Sequence, residues 1–545
     1  MHPNEFFQFM ASRFWFTRSV WLTFLGALFA VGLAASPSLA QTADQAYRFG
    51  TRSPAVGTRA SGMGGAGIAG WSDPSALYTN PAGLGYYTTS EVSGGLNTVL
   101  SQDESTYQIF LDGPSSERTE ETSSVRLGHL TGIYKAKTSR GSLVFALGFN
   151  RVATFDRELQ YEGVNSASSI TDTFLPSNTE FEVTSESINV FPVVPFVAFQ
   201  AGAIEFFESR FQNGNYPFLQ AVAPGRRIRQ SGAVTREGNM NEWNFAGAVE
   251  VAPDVMVGLS ANLSTGQYDF EHELTETDLE GADQYSVITG NALLEDFQSM
   301  LFRTRFTSEF TGFNLRGGLS AKVVENVRFG FSFETPTWYS VSEEFTDAFI
   351  RTNFSNGSLT YGDDADEDAA RGQFDYRLNT PWRLGLGLSY NSQPLLVTAD
   401  VEFVDWSQTS LSSDDQDFVF DETNDALEET YGYVFNWRAG AEYRFESGLR
   451  LRAGGAYRPD GRDFEVTFAD GDTEDRSRLF LSGGVGFDLS DQFTVDLAWM
   501  QERTNDQFVP YPSVTPPTET ESIANPIVDE TVVRNQIQIG ATYQF

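Results

Sequence analysis

The sequence predicts an all-β protein, a transmembrane antiparallel β-barrel of about 14 strands with an N-terminal plug segment in its lumen. Three observations predict it. The stretch Val532 to Phe545 alternates strictly, with Ile537, Ile539, Ala541, Tyr543 and Phe545 on one side and Arg534, Gln536, Gln538, Gly540, Thr542 and Gln544 on the other. A period of two marks a strand whose two faces meet different solvents. Similar alternating segments recur from about residue 90 onward, in pairs joined by very short turns and separated by long polar connections. Short turns at one end and long loops at the other distinguish an outer-membrane barrel from a soluble sandwich or propeller. At the other end of the chain, Arg13 and Arg18 precede the apolar run Val20–Ala35, and Ser38-Leu39-Ala40 supplies small residues for a signal peptidase. That pattern predicts a signal peptide over 1–40, cleaved before Gln41, and hence export.

The elements follow in order. Residues 41–88 are rich in Gly, Ala and Pro and form the expected plug; 89–545 form the barrel. A first strand is expected near 90–100, with a pair at 124–137 and 142–155. Leu143, Phe145, Leu147 and Phe149 share one face of the latter. Trp243, Phe245, Val249 and Val251 run into the turn Pro253-Asp254, and Val255, Val257, Leu259 and Leu263 lead out of it. The same texture flanks Glu325-Asn326, Asn391-Ser392-Gln393-Pro394, Glu446-Ser447-Gly448 and Ser490-Asp491-Gln492. No stretch after the signal approaches the roughly 20 apolar residues a spanning helix needs. Trp338, Tyr339, Trp406, Tyr431, Tyr433, Trp437 and Trp499 sit at strand ends, where interface girdles are expected. A terminal aromatic strand is also the feature by which a barrel assembly machinery would engage the chain, in a membrane of lipid and lipopolysaccharide.

Composition narrows the function. The formal net charge is −37, which argues against nucleic acid as a partner. The acid concentrates in long connections: Asp363, Asp364, Asp366, Glu367 and Asp368; Asp414, Asp415, Asp417, Asp421 and Glu422; Asp470, Asp472, Glu474 and Asp475. Their spacing fits no calcium loop, and solvated loop tips explain them better than cation sites. With no cysteine there is no thiolate chemistry. His129 and His272 stand far apart, at no metal-ligand spacing, and no nucleophile–base arrangement is evident. The sequence therefore predicts no enzyme, no metal and no cofactor.

A barrel of about 14 strands is too wide for its own side chains to fill. The plug carries Gly62-Met63-Gly64-Gly65, which lacks the preceding strand and following Lys of a phosphate loop. It also carries Asp73-Pro-Ser-Ala-Leu-Tyr-Thr-Asn-Pro-Ala-Gly-Leu84. This stretch, with Asn80, Pro81 and Ala82 at its centre, resembles the N-terminal hatch of the FadL/TodX outer-membrane transport proteins. Thr380-Pro-Trp-Arg-Leu-Gly-Leu-Gly-Leu-Ser-Tyr390 and Ala399-Asp-Val-Glu-Phe-Val-Asp-Trp-Ser407 resemble late strands of the same family. The resemblance implies a monomeric barrel in the bacterial outer membrane. It implies passive uptake of long-chain fatty acids or aromatic hydrocarbons through an apolar site near the outer loops, a hatch-gated route and an opening in the wall. Because PorV-type barrels share an Asn-Pro-Ala-Gly-Leu segment, the alternative is a barrel that binds or shuttles secreted proteins.

One connection, 156–238, is unusually aromatic. Phe199, Ile204, Phe206, Phe207 and Phe211 are its candidate substrate-binding residues, with Phe199, Phe206 and Phe207 expected on one face of a short helix. Either they form an entry groove for an apolar substrate, as the resemblance implies, or a small loop core that caps the barrel and binds nothing. Arg226 and Arg227, with Arg229, follow at once; they suit a carboxylate head group or, equally, the acidic loops.

Overall fold

The structure is a computed structural model and describes residues 36–108, 116–184, 187–281, 285–289, 292–362, 371–414, 419–462, 476–517, 522–523 and 525–545. Most of the acidic loop residues named above lie outside these, as does the expected signal peptide up to residue 35. Of the remainder, Asp414 pairs with Arg377, while Asp421 and Glu422 occupy the first turn of the helix Asp421–Thr430, where the helix dipole favours them.

Fourteen strands close one antiparallel barrel. In chain order they are β1 (Glu91–Gln108), β2 (Ser116–Lys135), β3 (Leu143–Thr154, continued by Arg157–Asn165), β4 (Ile228–Ala252), β5 (Val255–Asp278), β6 (Phe297–Val324) and β7 (Val327–Glu334, continued by Trp338–Phe354). Then follow β8 (Arg371–Asn379, continued by Arg383–Ser392), β9 (Leu395–Asp405, continued by Ser410–Ser412), β10 (Tyr433–Arg444), β11 (Leu449–Arg458), β12 (Arg478–Asp488), β13 (Phe493–Phe508) and β14 (Ile527–Gln544). Each pairs with its neighbours, and β14 pairs with β1 from Glu91↔Gln544 to Gln108↔Ile527. The expected terminal strand is therefore the seam of the barrel.

The tight turns all lie at one end. Asp254 and Asn326 adopt left-handed backbone, at φ 61° and 72°, as two-residue hairpin turns require. Along each strand exposed apolar residues alternate with buried polar ones. Leu384, Leu386 and Leu388 face outward, while Arg383 and Ser389 are buried. Outside is hydrocarbon and inside is a packed polar lumen.

The girdle expectation divides. Trp338, Tyr433, Trp437 and Trp499 are exposed on the outer face. Tyr339, Trp406 and Tyr431 are buried inside instead. Tyr339 follows the outward Trp338 on one strand and so takes the inward face, while Trp406 begins the 3-10 turn Trp406–Gln408 and Tyr431 ends the helix Asp421–Thr430, so neither belongs to a regular alternation.

Candidate functional site: plug, lumen, wall gap and cap

The segment before β1 lies within the barrel, because its partners stand on inward faces around the ring. It begins with α1 (Ser36–Gly50), then α2 (Thr58–Gly62), α3 (Ala76–Thr79) and a 3-10 turn over Pro81–Tyr86. Arg59 grips Glu442 of β10 through two hydrogen bonds of 2.8 and 2.9 Å, and Arg452 of β11 holds the same carboxylate at 2.7 Å. Arg52 pairs with Glu242 of β4, at 3.2 Å, and with Glu334 of β7. Asp400 of β9 accepts the backbone N–H groups of Gly67 and Ile68.

Asn80, Pro81 and Ala82 fasten the other side. The Asn80 amide is fully buried. Its Nδ2 donates to the carbonyls of Ile68, Leu319 and Phe331 at 2.6, 3.1 and 3.3 Å, and its Oδ1 accepts Ala82 N–H at 3.0 Å. One side chain thus ties two parts of the plug to β6 and β7. Inward glycines make room for it: a methyl on Gly318 would lie 1.7 Å from Asn80 Oδ1, and methyls on Gly440 and Gly454 would meet the Met63 backbone at 2.3 Å. Gly within a strand signals such an approach, although the pairing of each glycine with its plug residue is not visible in the sequence.

Among the described residues, the ladder between β2 and β3 is incomplete. β2 pairs with β3 only from Lys135↔Val144 to His129↔Asn150. Beyond that, β2 continues to pair with β1, while the outer half of β3 pairs only with β4. Gly128 is left out of the β1–β2 register, Arg151/Ala153 is a bulge, and Phe155-Asp156 breaks β3. The gap is crossed by side chains rather than by backbone: Arg126 pairs with Asp156, Arg118 with Glu162, and Arg151 Nε donates to Leu127 O at 3.1 Å.

Against this gap, on the luminal side, lies a cavity of about 160 Å³ bounded by the plug from Arg48 to Gly57, by Gly128, and by Arg151–Phe155. One wall is aromatic. Phe155 packs edge-on to Tyr268 at 5.3 Å, and both contact Phe49 of α1. A polar belt supports the same strands: Asn150, Asn244, Asn262 and Asn314 hand one hydrogen bond each across β3 to β6, at 2.7, 2.8 and 2.8 Å, ending on Thr337 at 3.0 Å.

The aromatic connection narrows to 166–227, because 157–165 and 228–236 pair with each other. It forms a packed cap. Phe174, Val197, Ile204 and Phe218 are fully buried with the outer ends of the strands, among them Tyr107, Tyr161, Leu274 and Met300. The candidate residues do not share one helical face. Phe199 lies in the helix Val193–Gln200, Ile204 and Phe206 in the strand Ile204–Phe206, and Phe207 precedes the helix Glu208–Gln212. Gly202, at φ 68°, ends the first helix and separates them. Phe199, Phe206 and Phe207 form a half-buried rim, and Phe211 is 43% exposed. Arg226 is committed to Asp278 through bonds of 2.8 and 2.7 Å; the backbone N–H of Arg227 reaches Glu280 at 3.4 Å; Arg229 lies 3.8 Å from Glu162. His129 meets Ser93 at 3.2 Å and His272 meets Tyr161 at 2.8 Å, both buried and far apart.

Residues 215–523 match the family described as outer membrane protein transport protein (OMPP1/FadL/TodX). The chain belongs to this family. It is an outer-membrane β-barrel of a transport family for hydrophobic compounds, and a channel protein rather than an enzyme. Among solved structures, a FadL homologue of Pseudomonas aeruginosa is 12% identical, with 91% of this chain and all of that one covered at a TM-score of 0.52. The toluene transporter TodX of P. putida is 13% identical, with 90% of this chain and 99% of that one covered at 0.50. At such identity the likeness speaks for the fold. No curated protein matches the sequence.

Proposed function

We propose that this FadL/TodX-family barrel admits hydrophobic molecules, long-chain fatty acids or aromatic hydrocarbons, by passive diffusion, and releases them sideways through the gap between β2 and β3. The gap carries the proposal. A closed barrel offers an apolar solute no path to the bilayer, whereas here thirteen residues of β2, from Ser116 to Gly128, have no ladder partner on the β3 side. The outward residues beside it, Val125 and Leu127, are exposed and apolar. The cavity behind it is lined by Val152 and Phe155 at the same level.

The plug supports a lateral rather than an axial exit. Pulling it out would break the ion pairs of Arg52 and Arg59 and the Asn80 contacts together, and stripping one partner from a buried ion pair costs about 3–5 kcal/mol. A hydrophobic molecule gains nothing from entering the periplasm along that path. The half-buried aromatic rim at Phe199, Phe206, Phe207 and Phe211 suits first capture, from which the substrate would descend past the cap. In this reading the protein works as a monomer surrounded by outer-membrane lipid and lipopolysaccharide, and β14 is the strand an assembly machinery would engage.

Uptake of labelled toluene and oleate by cells lacking other such transporters tests the proposal. Cells carrying the protein should accumulate one of them several-fold faster than cells without it, while a hydrophilic sugar enters no faster. Entry of both apolar compounds no faster than into cells without the protein would overturn the reading.

A further inference from the structure

A groove of about 600 Å³ lies on the outer, lipid-facing wall, across β8 to β12. Leu388, Val401, Trp437, Tyr457 and Leu481 form its rim, with side chains that point away from the lumen. Its floor is the cross-strand row Ala399–Ala439–Gly455. Asp400 and Arg438 belong to the same strands but turn inward, Asp400 to the N–H groups of Gly67 and Ile68 and Arg438 to Glu402. Inside, the plug stretch Gly62-Met63-Gly64-Gly65 lies directly on these strands. Methyls on Gly440 and Gly454 would meet the Met63 backbone at 2.3 Å, and one on Gly64 would meet the Gly455 nitrogen at 2.4 Å. That contact accounts for the inward glycines and leaves the outward positions unconstrained, since neighbours on a strand alternate between faces. Other lipid-facing residues in the same register are large, Phe329 and Leu388 on one side and Leu481 on the other. Nothing in the plug requires Ala399 and Ala439 to be small.

The turn end below the groove carries a cation. Ala441 and Ala453, the next outward pair, keep the surface low in that direction. Beyond them Arg444 of β10 and Arg450 of β11 face each other and share one carboxylate, Asp488 of β12, at 3.1 Å for Arg444 and at 2.6 and 2.8 Å for Arg450. Among the described residues no other carboxylate lies within ion-pair distance of either guanidinium. The cluster therefore keeps one positive charge in a chain of net charge −37. The Arg444 side chain is 53% exposed. It stands five positions from Ala439 on the same strand, roughly 17 Å along it and about 12 Å of height at a tilt of about 45°. The groove thus lies in the periplasmic half of the ~25 Å apolar band, with Arg444 at the head groups of that leaflet.

We infer that this groove holds a phospholipid of the periplasmic leaflet, one acyl chain lying over Ala399, Ala439 and Gly455 and the phosphate on Arg444. Apolar contact alone would not select one lipid, because the hydrocarbon around the barrel is as apolar as the groove itself. Two features together distinguish this place. A chain in the recess gains packing contacts on its floor and along both walls, which a bare recess forfeits. A guanidinium beside it can hold a phosphate with two parallel hydrogen bonds. The lipid would complete a wall that has plug backbone on its inner side and little side-chain cover on its outer side. The site is remote from the gap between β2 and β3, and it does not depend on the transport reading.

Native mass spectrometry of the full barrel in dodecyl maltoside tests this. The probes are palmitoyl-oleoyl phosphatidylglycerol and palmitoyl-oleoyl glycerol, which has the same chains and no phosphate. The barrel should retain one phosphatidylglycerol through detergent exchange, and at least tenfold less of the glyceride. Ala399→Leu with Ala439→Leu fills the recess from the lipid side without touching the plug, and should abolish retention. Arg444→Gln should reduce retention of phosphatidylglycerol at least fivefold and leave the glyceride unchanged. Should the double Leu variant fail to give a heat-modifiable barrel, Arg444→Gln and the comparison of the two probes decide. No retained lipid, equal retention of both probes, or undiminished retention in the variants overturns the inference. So does a dimer mass that disappears in the filled variant, which would make a second copy of this chain the occupant.

Discussion

Asn80 ties the plug to the wall with a single amide. Replacing it by Ala leaves the Ile68 carbonyl and the Ala82 N–H without their side-chain partner inside a buried contact, and each such group costs about 1–3 kcal/mol. Asn80→Ala should therefore lower the urea midpoint of the refolded barrel, followed by tryptophan fluorescence; an unchanged midpoint would contradict the tethering role. Glu276 makes a second prediction. It lies two residues short of the outer end of β5, roughly 70 Å along the strand from the turn end, which at a tilt of about 45° is about 50 Å of height and beyond the ~25 Å apolar band. Burial pushes its pKa up to about 7, against hydrogen bonds from Ser169, Ile170 N–H and Gln230 that lower it. A carboxyl raised in the folded state holds its proton more tightly there. Its contribution is therefore most favourable below about pH 4.5 and is lost as pH rises towards 7. Glu205, in the same cap, is raised to about 7 by burial as well. The cap should resist proteolysis better at pH 5 than at pH 8, and Glu276→Gln should lose most of that difference. These residues were legible to unequal degrees. Asn80 stood out because Asn-Pro-Ala-Gly is turn chemistry, whereas Glu276 read only as an inward polar position of an alternating strand. Periodicity tells which face a side chain takes, not what lies opposite it across a lumen.

At the scale of elements, the outer half of the β2–β3 seam is joined by side chains alone. Arg126–Asp156 and Arg118–Glu162 bridge it, and the latter pair is well exposed. Exposed pairs contribute at most about 1 kcal/mol, so Arg118–Glu162 sets how readily the gap widens and not whether the barrel folds. Arg118→Ala should raise the uptake rate several-fold while leaving the unfolding midpoint within experimental error; slower uptake would contradict this. The strands were legible because hydrocarbon outside and polar packing inside impose a strict period of two. The outward faces of β4, β5, β6, β8 and β10 appear as the alternation predicts. Tyr339, Trp406 and Tyr431 did not: Tyr339 neighbours the outward Trp338 and must face inward, and the 3-10 turn at Trp406 and the helix Asp421–Thr430 before Tyr431 stand outside the alternation. Arg151, where the gap begins, carries no Gly or Pro signal. The candidate aromatic face failed for a similar local reason, since Gly202 ends the helix between Phe199 and Ile204.

The whole molecule combines a fixed plug, a packed cap and a side opening. The plug meets strands around most of the ring through contacts separated by hundreds of residues, such as Arg52 with Glu334, and no sequence period encodes such distant partners. What the sequence did carry was the combination of alternating strands, short turns at one end and an Asn-Pro-Ala turn, which sufficed for the fold and its membrane. Transport through the side opening is the claim on which the functional reading depends. The chain contains no native cysteine, so Arg126→Cys with Asp156→Cys can be joined cleanly across the gap by a short, cleavable thiol cross-linker. Uptake of the transported compound should fall at least tenfold when the two strands are linked and recover when the link is cleaved. Undiminished uptake through the linked barrel would contradict a lateral route.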